Sequence, residues 1–185
     1  FIIKINKNAT TDSISCDKGK FTVIINESQN KFQEFILDKK GDDEIRYIQH
    51  LLVEDYLISS SIPHKDSQDF PLPQNYFDLS SVHAEVTKDL CTKQKVDLFE
   101  IKNDDRNNIL SDEFNKPSFK YREAPYNLSS NKIKVYKEDF TVDNITLSYY
   151  RYAKQIELID SNDPESNFKA SSFLEWDDKT SDRII

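Results

Sequence analysis

Hydrophobic residues near the start of the chain recur at the spacing of an amphipathic helix. Asp17 precedes this stretch and can cap it, because its carboxylate can accept the free amide hydrogens of a first turn. Lys39 and Lys40 followed by Gly41 are typical of a helix end. The pattern predicts a helix over residues 17–40, whose inward face would hold Phe21, Ile24, Ile25, Ser28, Phe32, Phe35 and Ile36.

The segment after this helix admits two interpretations. Apolar residues between 45 and 52 fit a helix, whereas residues 51–58 also fit a strand. Prolines then interrupt both the helical and the strand pattern, because proline removes a backbone donor and disfavours helical backbone at the residue before it. We therefore expect an extended linker that contains Pro63, Pro71 and Pro73.

From residue 76 onward the hydrophobic period changes to two, which indicates strands. The first predicted strand covers Tyr76–Val86, and Val82, Ala84 and Val86 share one of its faces. A polar, turn-rich stretch is expected over residues 103–115. Four more strands are predicted: residues 94–101, a strand in which Phe119 and Tyr121 alternate, residues 133–136, and residues 145–150 with Ile145, Leu147 and Tyr149 on one face.

Together these elements predict an α+β fold, with N-terminal helices, an antiparallel β-sandwich-like segment and the start of a C-terminal helix. Residues 1–62 would be mainly helical, and residues 63–160 would form the antiparallel β segment. Residues 161–185 would form a loop and the helix start, where Asp177 and Asp178 suit an acidic first turn. We expect the three parts to form one structural unit.

Composition indicates a folded chain with a polar surface. Aromatic residues make up 12% of the 185 residues, charged residues 31%, and the net charge is −8. Disordered chains lack this aromatic content. An acidic protein does not gain affinity for nucleic acid by releasing counterions, so the charge argues against a DNA- or RNA-binding module.

No targeting or membrane signal is visible in the sequence. No apolar run approaches the roughly 20 residues that span a bilayer, and no signal peptide is seen. Cys16 and Cys91 lie far apart, and we expect free thiols rather than a disulfide. The chain has no Met, and its pattern is interrupted at both ends, so we expect that residues are missing from each end.

The chemistry of common active sites is sparsely represented. With only Gly19 and Gly41, the chain can form neither a dinucleotide fingerprint nor a phosphate-binding loop. His50, His64 and His83 are not spaced as metal ligands, and the paired carboxylates fit solvated faces or helix starts. We therefore predict no enzyme activity, no cofactor and no metal site. A Ser–His pair assembled across the fold stays open on spacing alone.

The densest feature is the aromatic run at residues 149–152, Tyr-Tyr-Arg-Tyr. Such residues can stack on nucleic acid bases, but they are also the types enriched in protein–protein interfaces. The net charge favours the second interpretation. The interface residues that we predict are Tyr150, Arg151, Tyr152, Phe173 and Trp176.

Several segments of the C-terminal part carry motifs of a known family. They are residues 116–123 (KPSFKYRE), 131–136 (NKIKVY) and 145–152 (ITLSYYRY), followed by residues 163–164 (DP) and 177–185 (DDKTSDRII). The chain resembles the neck and tail ring proteins of crAss-like phages, which are tailed viruses of gut Bacteroidetes. More remotely, it is similar to head-to-tail adaptor proteins of other tailed phages. It departs from the family motifs at Tyr121, where Trp is usual, and at Ala153, where Pro is usual.

The resemblance implies a virion structural protein that forms a ring in the phage neck or tail. About twelve copies would connect portal to tail and contact neighbouring ring proteins. Genomic DNA would pass through the channel without specific binding, and no membrane would be involved. The chain would be made in the bacterial host cytoplasm and end in the virion.

Two other classes of function remain open from the sequence. The first is a monomeric phage accessory protein that binds another protein through one compact patch. The second is a hydrolase with a carboxylate or Ser–His site that the motifs do not reveal. A ring protomer would need a large, partly apolar interface.

Overall fold

The computed structural model describes residues 18–39, 45–89 and 92–156. Contacts divide the chain into two compact units. The first combines Phe1–His50 with Ala153–Ile185, and the second is Leu51–Tyr152. These limits differ from the predicted divisions at residues 62 and 160, because a strand already begins at Leu52.

In the first unit the main element is helix α1 (Lys18–Lys39), where the sequence pattern predicts a helix. Its buried positions are spaced as a single stripe, since Ile25, Gln29, Gln33 and Ile36 are all buried. Ile24 and Phe35, expected to face inward, are more than half exposed. Two glutamines thus occupy the inward stripe, which hydrophobic spacing alone does not reveal.

The second unit is built almost entirely from strands. A short 3₁₀ helix (Arg46–Leu51) leads into it. The strands are β1 (Leu52–Ile58), β2 (Ile62–Pro63), β3 (Ser67–Pro71), β4 (Tyr76–Lys88), β5 (Thr92–Glu100), β6 (Glu123–Ser129), β7 (Lys132–Tyr136) and β8 (Thr141–Arg151), with helix α2 (Arg106–Ser111) between β5 and β6.

All eight strands belong to one curled sheet, in the order β1-β8-β4-β5-β6-β7-β3-β2. Neighbours pair antiparallel except β5 and β6, which are parallel. Only residues 59–61 connect β1 to β2, although these strands lie at opposite ends of the order. Three residues span little more than about 14 Å, so the sheet must curl until its two ends approach each other.

The predicted α+β fold with a sandwich-like segment is therefore wrong. The described chain is mostly β, and its sheet is single, mixed and curled rather than two antiparallel layers. Curling lets one sheet enclose its own core, so a second layer is not needed. The predicted start of a C-terminal helix at residues 177–185 lies outside the described residues.

Two segments differ from their predicted structure for local reasons. The expected linker contains β2 and β3, because Pro63 and Pro71 occupy strand ends, where a missing amide hydrogen is tolerated. Phe119 and Tyr121 lie in a turn rather than a strand. The strand that was expected there, β6, begins two residues later at Glu123.

The core lies on the inner face of the curled sheet. Val82, Ala84 and Val86 of β4 are buried, as their alternation predicts. On β8, Ile145, Leu147 and Tyr149 are also buried, as predicted. Other members of this core are Phe70, Val96, Ala124, Ile133, Val135, Phe140 and Val142.

Candidate interaction surfaces

The predicted interface residues at the end of β8 lie in three different environments. Tyr150 is buried, Arg151 is half-buried, and Tyr152 is 44% exposed. Phe173 and Trp176 lie outside the described residues. Of the three described residues, Tyr152 therefore offers the most area to a partner.

Tyr152 is held in place although it is exposed. Its ring meets the ring of Phe77 edge-on, with 4.7 Å between the centroids. Its backbone amide donates a hydrogen bond to the carbonyl oxygen of Asn75 at 2.9 Å. The Arg151 guanidinium donates to the Tyr152 carbonyl oxygen at 3.2 Å. An aromatic side chain positioned in this way loses little conformational entropy when a partner covers it.

Tyr149 makes its contacts inside the second unit. Its hydroxyl donates to the side-chain oxygen of Asn75 at 3.0 Å, and the ring of Tyr56 packs edge-on against its ring. Burial raises the pKa of the Tyr149 hydroxyl, as it does for Tyr150. Burial also raises the pKa of Tyr126 to about 12, with Glu100 and Asp78 adding to the effect. These tyrosines remain neutral at physiological pH.

One row of side chains crosses the outer face of five strands. Strand pairing aligns Leu57 with Thr146, Thr146 with His83, His83 with Asp97, and Asp97 with Glu123. Partners in such a row point to the same face of the sheet. Because neighbouring strands lie about 4.8 Å apart, the row extends about 19 Å along the curved sheet.

Part of this row lines an open groove of about 530 Å³. His83 Nδ1 lies 3.3 Å from Asp97 Oδ1, but their side chains are 56% and 84% exposed. In the next row, the Asn144 amide donates to the Glu85 carboxylate at 3.0 Å. A solvated pair gains little electrostatic energy, and this one lacks the burial that usually tunes a catalytic group.

A second polar cluster lies on the outer face of β3 and β7. Asp69 is buried, and its Oδ2 accepts from Lys132 Nζ at 2.6 Å and lies 3.3 Å from His64 Nε2. Lys134 Nζ lies 3.9 Å from Asp69 Oδ1. Burial alone would raise the pKa of Asp69, but the hydrogen bonds from Lys132 and His64 and the charge of Lys134 hold it below its usual value.

Sequence reasoning did not find the Asp69 cluster. Its signal is the alternation of Lys132 and Lys134 around an apolar residue, which places both amines on one face of β7. Their partner comes from β3, which is distant in sequence and was expected to be a linker. Only the pairing of Asp69 with Lys134 brings the charges together.

The histidines have different local settings. His64 pairs with Asp69, His83 pairs with Asp97, and His50 lies exposed in the 3₁₀ helix. Among the described residues, no group of three or more His, Cys, Asp or Glu side chains could hold a metal ion. Cys16 and Cys91 lie outside the described residues.

No family model fits the chain, and no curated protein sequence matches it. Within the described part, no helix is both long enough and apolar enough to cross a membrane.

Proposed function

We propose that the chain is a structural protomer of an oligomeric ring in the neck or tail of a crAss-like phage, without enzymatic activity. About twelve copies would surround the channel between portal and tail, in contact with the portal and with neighbouring ring proteins. Genomic DNA would pass through the ring without specific binding. The chain would be made in the host cytoplasm and would end in the virion.

The observation that carries this proposal is the number of large apolar side chains that the second unit leaves exposed. Tyr56, Leu57, Ile62, Phe114, Tyr121 and Tyr152 are each between 43% and 86% exposed. Single exposed apolar residues are ordinary, but several on one small unit favour surfaces that are covered in an assembly. A ring protomer needs two such surfaces, one for each neighbour.

Two of the motifs that carry the family resemblance coincide with strands of the second unit. Residues 131–136 contain β7 (Lys132–Tyr136), whose Ile133 and Val135 are buried, and residues 145–152 include most of β8. Of the residues that line the groove near His83, Thr146 alone belongs to one of the motifs. A structural subunit needs segments that supply core residues and segments that leave aromatic side chains exposed for contacts with other subunits.

Net charge supports the role in the channel. A wall with an excess of carboxylates repels phosphate at short range, so DNA is confined without being held. The chain has 33 acidic and 25 basic residues. A ring of about twelve such chains would carry roughly one hundred negative charges, because each contributes −8.

The native mass of the purified chain tests the proposal. Light scattering should detect a particle of about twelve chains, and electron microscopy of virions should place it next to the portal. A stable monomer that is absent from virions would contradict the proposal.

A second candidate is a monomeric accessory protein that binds another protein through one patch. The groove of about 530 Å³ beside His83 and Asp97 favours this alternative, since it is one compact and open surface. The same mass measurement separates the two, because this candidate is a monomer at every concentration.

A further inference from the structure

Two exposed patches of opposite charge lie on different parts of the second unit. The first, called the acidic edge, comprises Glu54, Asp55, Tyr56 and Leu57 of strand β1. The second, called the basic knob, comprises Lys120, Tyr121 and Arg122 in the turn before β6. Each patch combines two like charges with at least one large apolar side chain that is exposed.

The acidic edge is shaped by a bulge at the end of the sheet. The register between β1 and β8 shifts between Val53 and Tyr56, so Glu54 and Asp55 stand outside regular pairing. Asp55 has φ of 52°, and its backbone amide lies 3.4 Å from the hydroxyl of Ser148. Beside these carboxylates, Leu57 is 57% exposed.

The basic knob is a rigid turn. Two backbone hydrogen bonds between Ser118 and Glu123 close it, at 2.9 and 3.3 Å. Phe119 packs against the core from inside the turn, while Tyr121 points outward and is 64% exposed. The Arg122 carbonyl oxygen accepts a hydrogen bond from the Asp97 amide at 2.9 Å, which fixes the turn to β5.

Backbone strain marks both patches. Among the described residues, three that are not glycine have positive φ, and two of them are Asp55 and Arg122. Aspartate tolerates the left-handed region, but arginine at φ of 60° costs about 1 kcal/mol or more. Strained residues of this kind persist where the surrounding structure fixes them, and they cluster at functional surfaces.

The charges of the two patches are available to a partner. Within the described part of the chain, none of Glu54, Asp55, Lys120 and Arg122 takes part in an ion pair. Lys120 Nζ instead lies 5.5 Å from the ring centre of Tyr121.

The two patches lie at the same level of the sheet. The outer-face row that begins at Leu57 ends at Glu123, the residue directly after Arg122. The patches are therefore separated by four strand intervals around the curved sheet, with little offset along the strands.

We propose that the acidic edge of one protomer binds the basic knob of the next copy of this chain. The inference rests on the proposed ring and names the surfaces that join its protomers. Carboxylates of Glu54 and Asp55 meet the amine of Lys120 and the guanidinium of Arg122, while Tyr121 packs against Leu57. The occupant is a second copy because the patches are complementary to each other and not to themselves, so a two-fold contact through either patch would oppose like charges.

The test exchanges the charges of the two patches in the full-length chain. The edge variant is Glu54→Lys with Asp55→Asn, and the knob variant is Lys120→Glu with Arg122→Asn. Asparagine suits positions of positive φ, so neither change adds backbone strain. Within each variant both patches then have the same sign, and the concentration at which half of the chains are assembled should rise at least about tenfold.

An equal mixture of the two variants should assemble again, with both variants at a ratio of one to one. In the mixture each altered edge meets an altered knob of opposite sign, and each natural edge meets a natural knob. The matched control is Asp104→Lys with Asp105→Asn, an exposed pair elsewhere that changes the net charge by the same amount as the edge variant. Its assembly should stay within about threefold of the unaltered chain.

Native mass spectrometry separates the outcomes, and thermal unfolding checks that every variant folds. Variants that assemble like the unaltered chain would overturn this interface and leave the ring intact. Loss of assembly that mixing does not restore would overturn the pairing of edge with knob. An unaltered chain that stays monomeric would overturn the proposed function itself, and this inference with it.

Discussion

Residues two positions apart at the end of β8 have different roles. Tyr150 is buried within the chain, whereas Tyr152 is exposed and rests on Phe77. The sequence presents them as equivalent members of one aromatic run. Their environments indicate that the first stabilises the fold and that the second is available for a contact between subunits.

Separate truncations distinguish these two roles. Tyr150→Ala should lower the free energy of unfolding by about 3 kcal/mol, because it leaves a cavity in a packed interior. Tyr152→Ala should cost about 1 kcal/mol or less and should weaken assembly more than folding. Denaturant unfolding and light scattering measure the two effects. Equal losses of stability would show that Tyr152 is also a residue of the fold.

The Asp69 cluster makes stability depend on pH. The pKa of Asp69 in the folded chain lies below its ordinary value of 3.8, so the carboxylate contributes stability above that value and loses it as the pH falls through the folded pKa. Asp69→Asn should therefore cost about 1–3 kcal/mol at pH 7 and progressively less below about pH 4.

Denaturant unfolding at several pH values measures the contribution of Asp69. The control is Asp97→Asn, because Asp97 also faces a histidine but is 84% exposed. That change should alter the free energy of unfolding by about 0.5 kcal/mol or less. A difference between Asp69→Asn and the unaltered chain that stays constant from pH 7 to pH 3 would contradict the prediction.

At the scale of elements, Gln68 helps to hold the two ends of the sheet together. Its amide donates to the Val142 carbonyl oxygen on β8 at 2.6 Å and to the Ser61 hydroxyl at 2.7 Å. Strands β3 and β8 are separated by four others in the strand order on one side, and by β1 and β2 on the other. A buried polar side chain thus links β3 to β8 across the region where the curled sheet would otherwise separate.

Gln68→Glu tests this link with little change in volume. The substitution replaces the donor to Val142 by a carboxylate oxygen and buries a charge, so it should lower the free energy of unfolding by about 3 kcal/mol at pH 7. Burial raises the pKa of the introduced carboxyl, and protonation at lower pH restores a donor. The loss should therefore shrink as the pH falls toward about 4.

Gln74→Glu is the matched control, since Gln74 lies exposed in the turn before β4. It should change stability by about 0.5 kcal/mol or less. Equal effects of the two substitutions, measured by denaturant unfolding across this pH range, would show that Gln68 does not hold the sheet ends together.

At the scale of the whole molecule, contacts between charged patches imply an assembly that responds to salt. Exposed charges are screened over about 8 Å at physiological ionic strength and over about 3 Å at 1 M. Raising the salt from about 0.05 M to about 0.5 M should raise the concentration of half-assembly several-fold. Analytical ultracentrifugation measures this shift, and assembly that strengthens with salt would indicate a purely apolar contact.

Local rules in the sequence determined the parts that depend on neighbouring residues. Helix α1 and the inward alternation of β4 and β8 follow from hydrophobic period, since that period decides which side chains can be buried together. The short edge strand β2 was not predicted, because two residues with a proline have no readable period. The motif segments were identified, although their positions in a sheet were not.

Which strands pair depends on contacts that form only when the chain folds. The sequence has no signal for the parallel pairing of β5 with β6 or for the curl that a three-residue connection between β1 and β2 requires, because both depend on contacts between distant residues. The pairing of β3 with β7 brings Asp69 to Lys132 and Lys134, and the pairing of β5 with β6 extends the row from Leu57 to Glu123, which follows the basic knob in sequence. Aromatic and charged residue types can be read from the sequence, but their exposure and mutual placement arise when the sheet closes around its core.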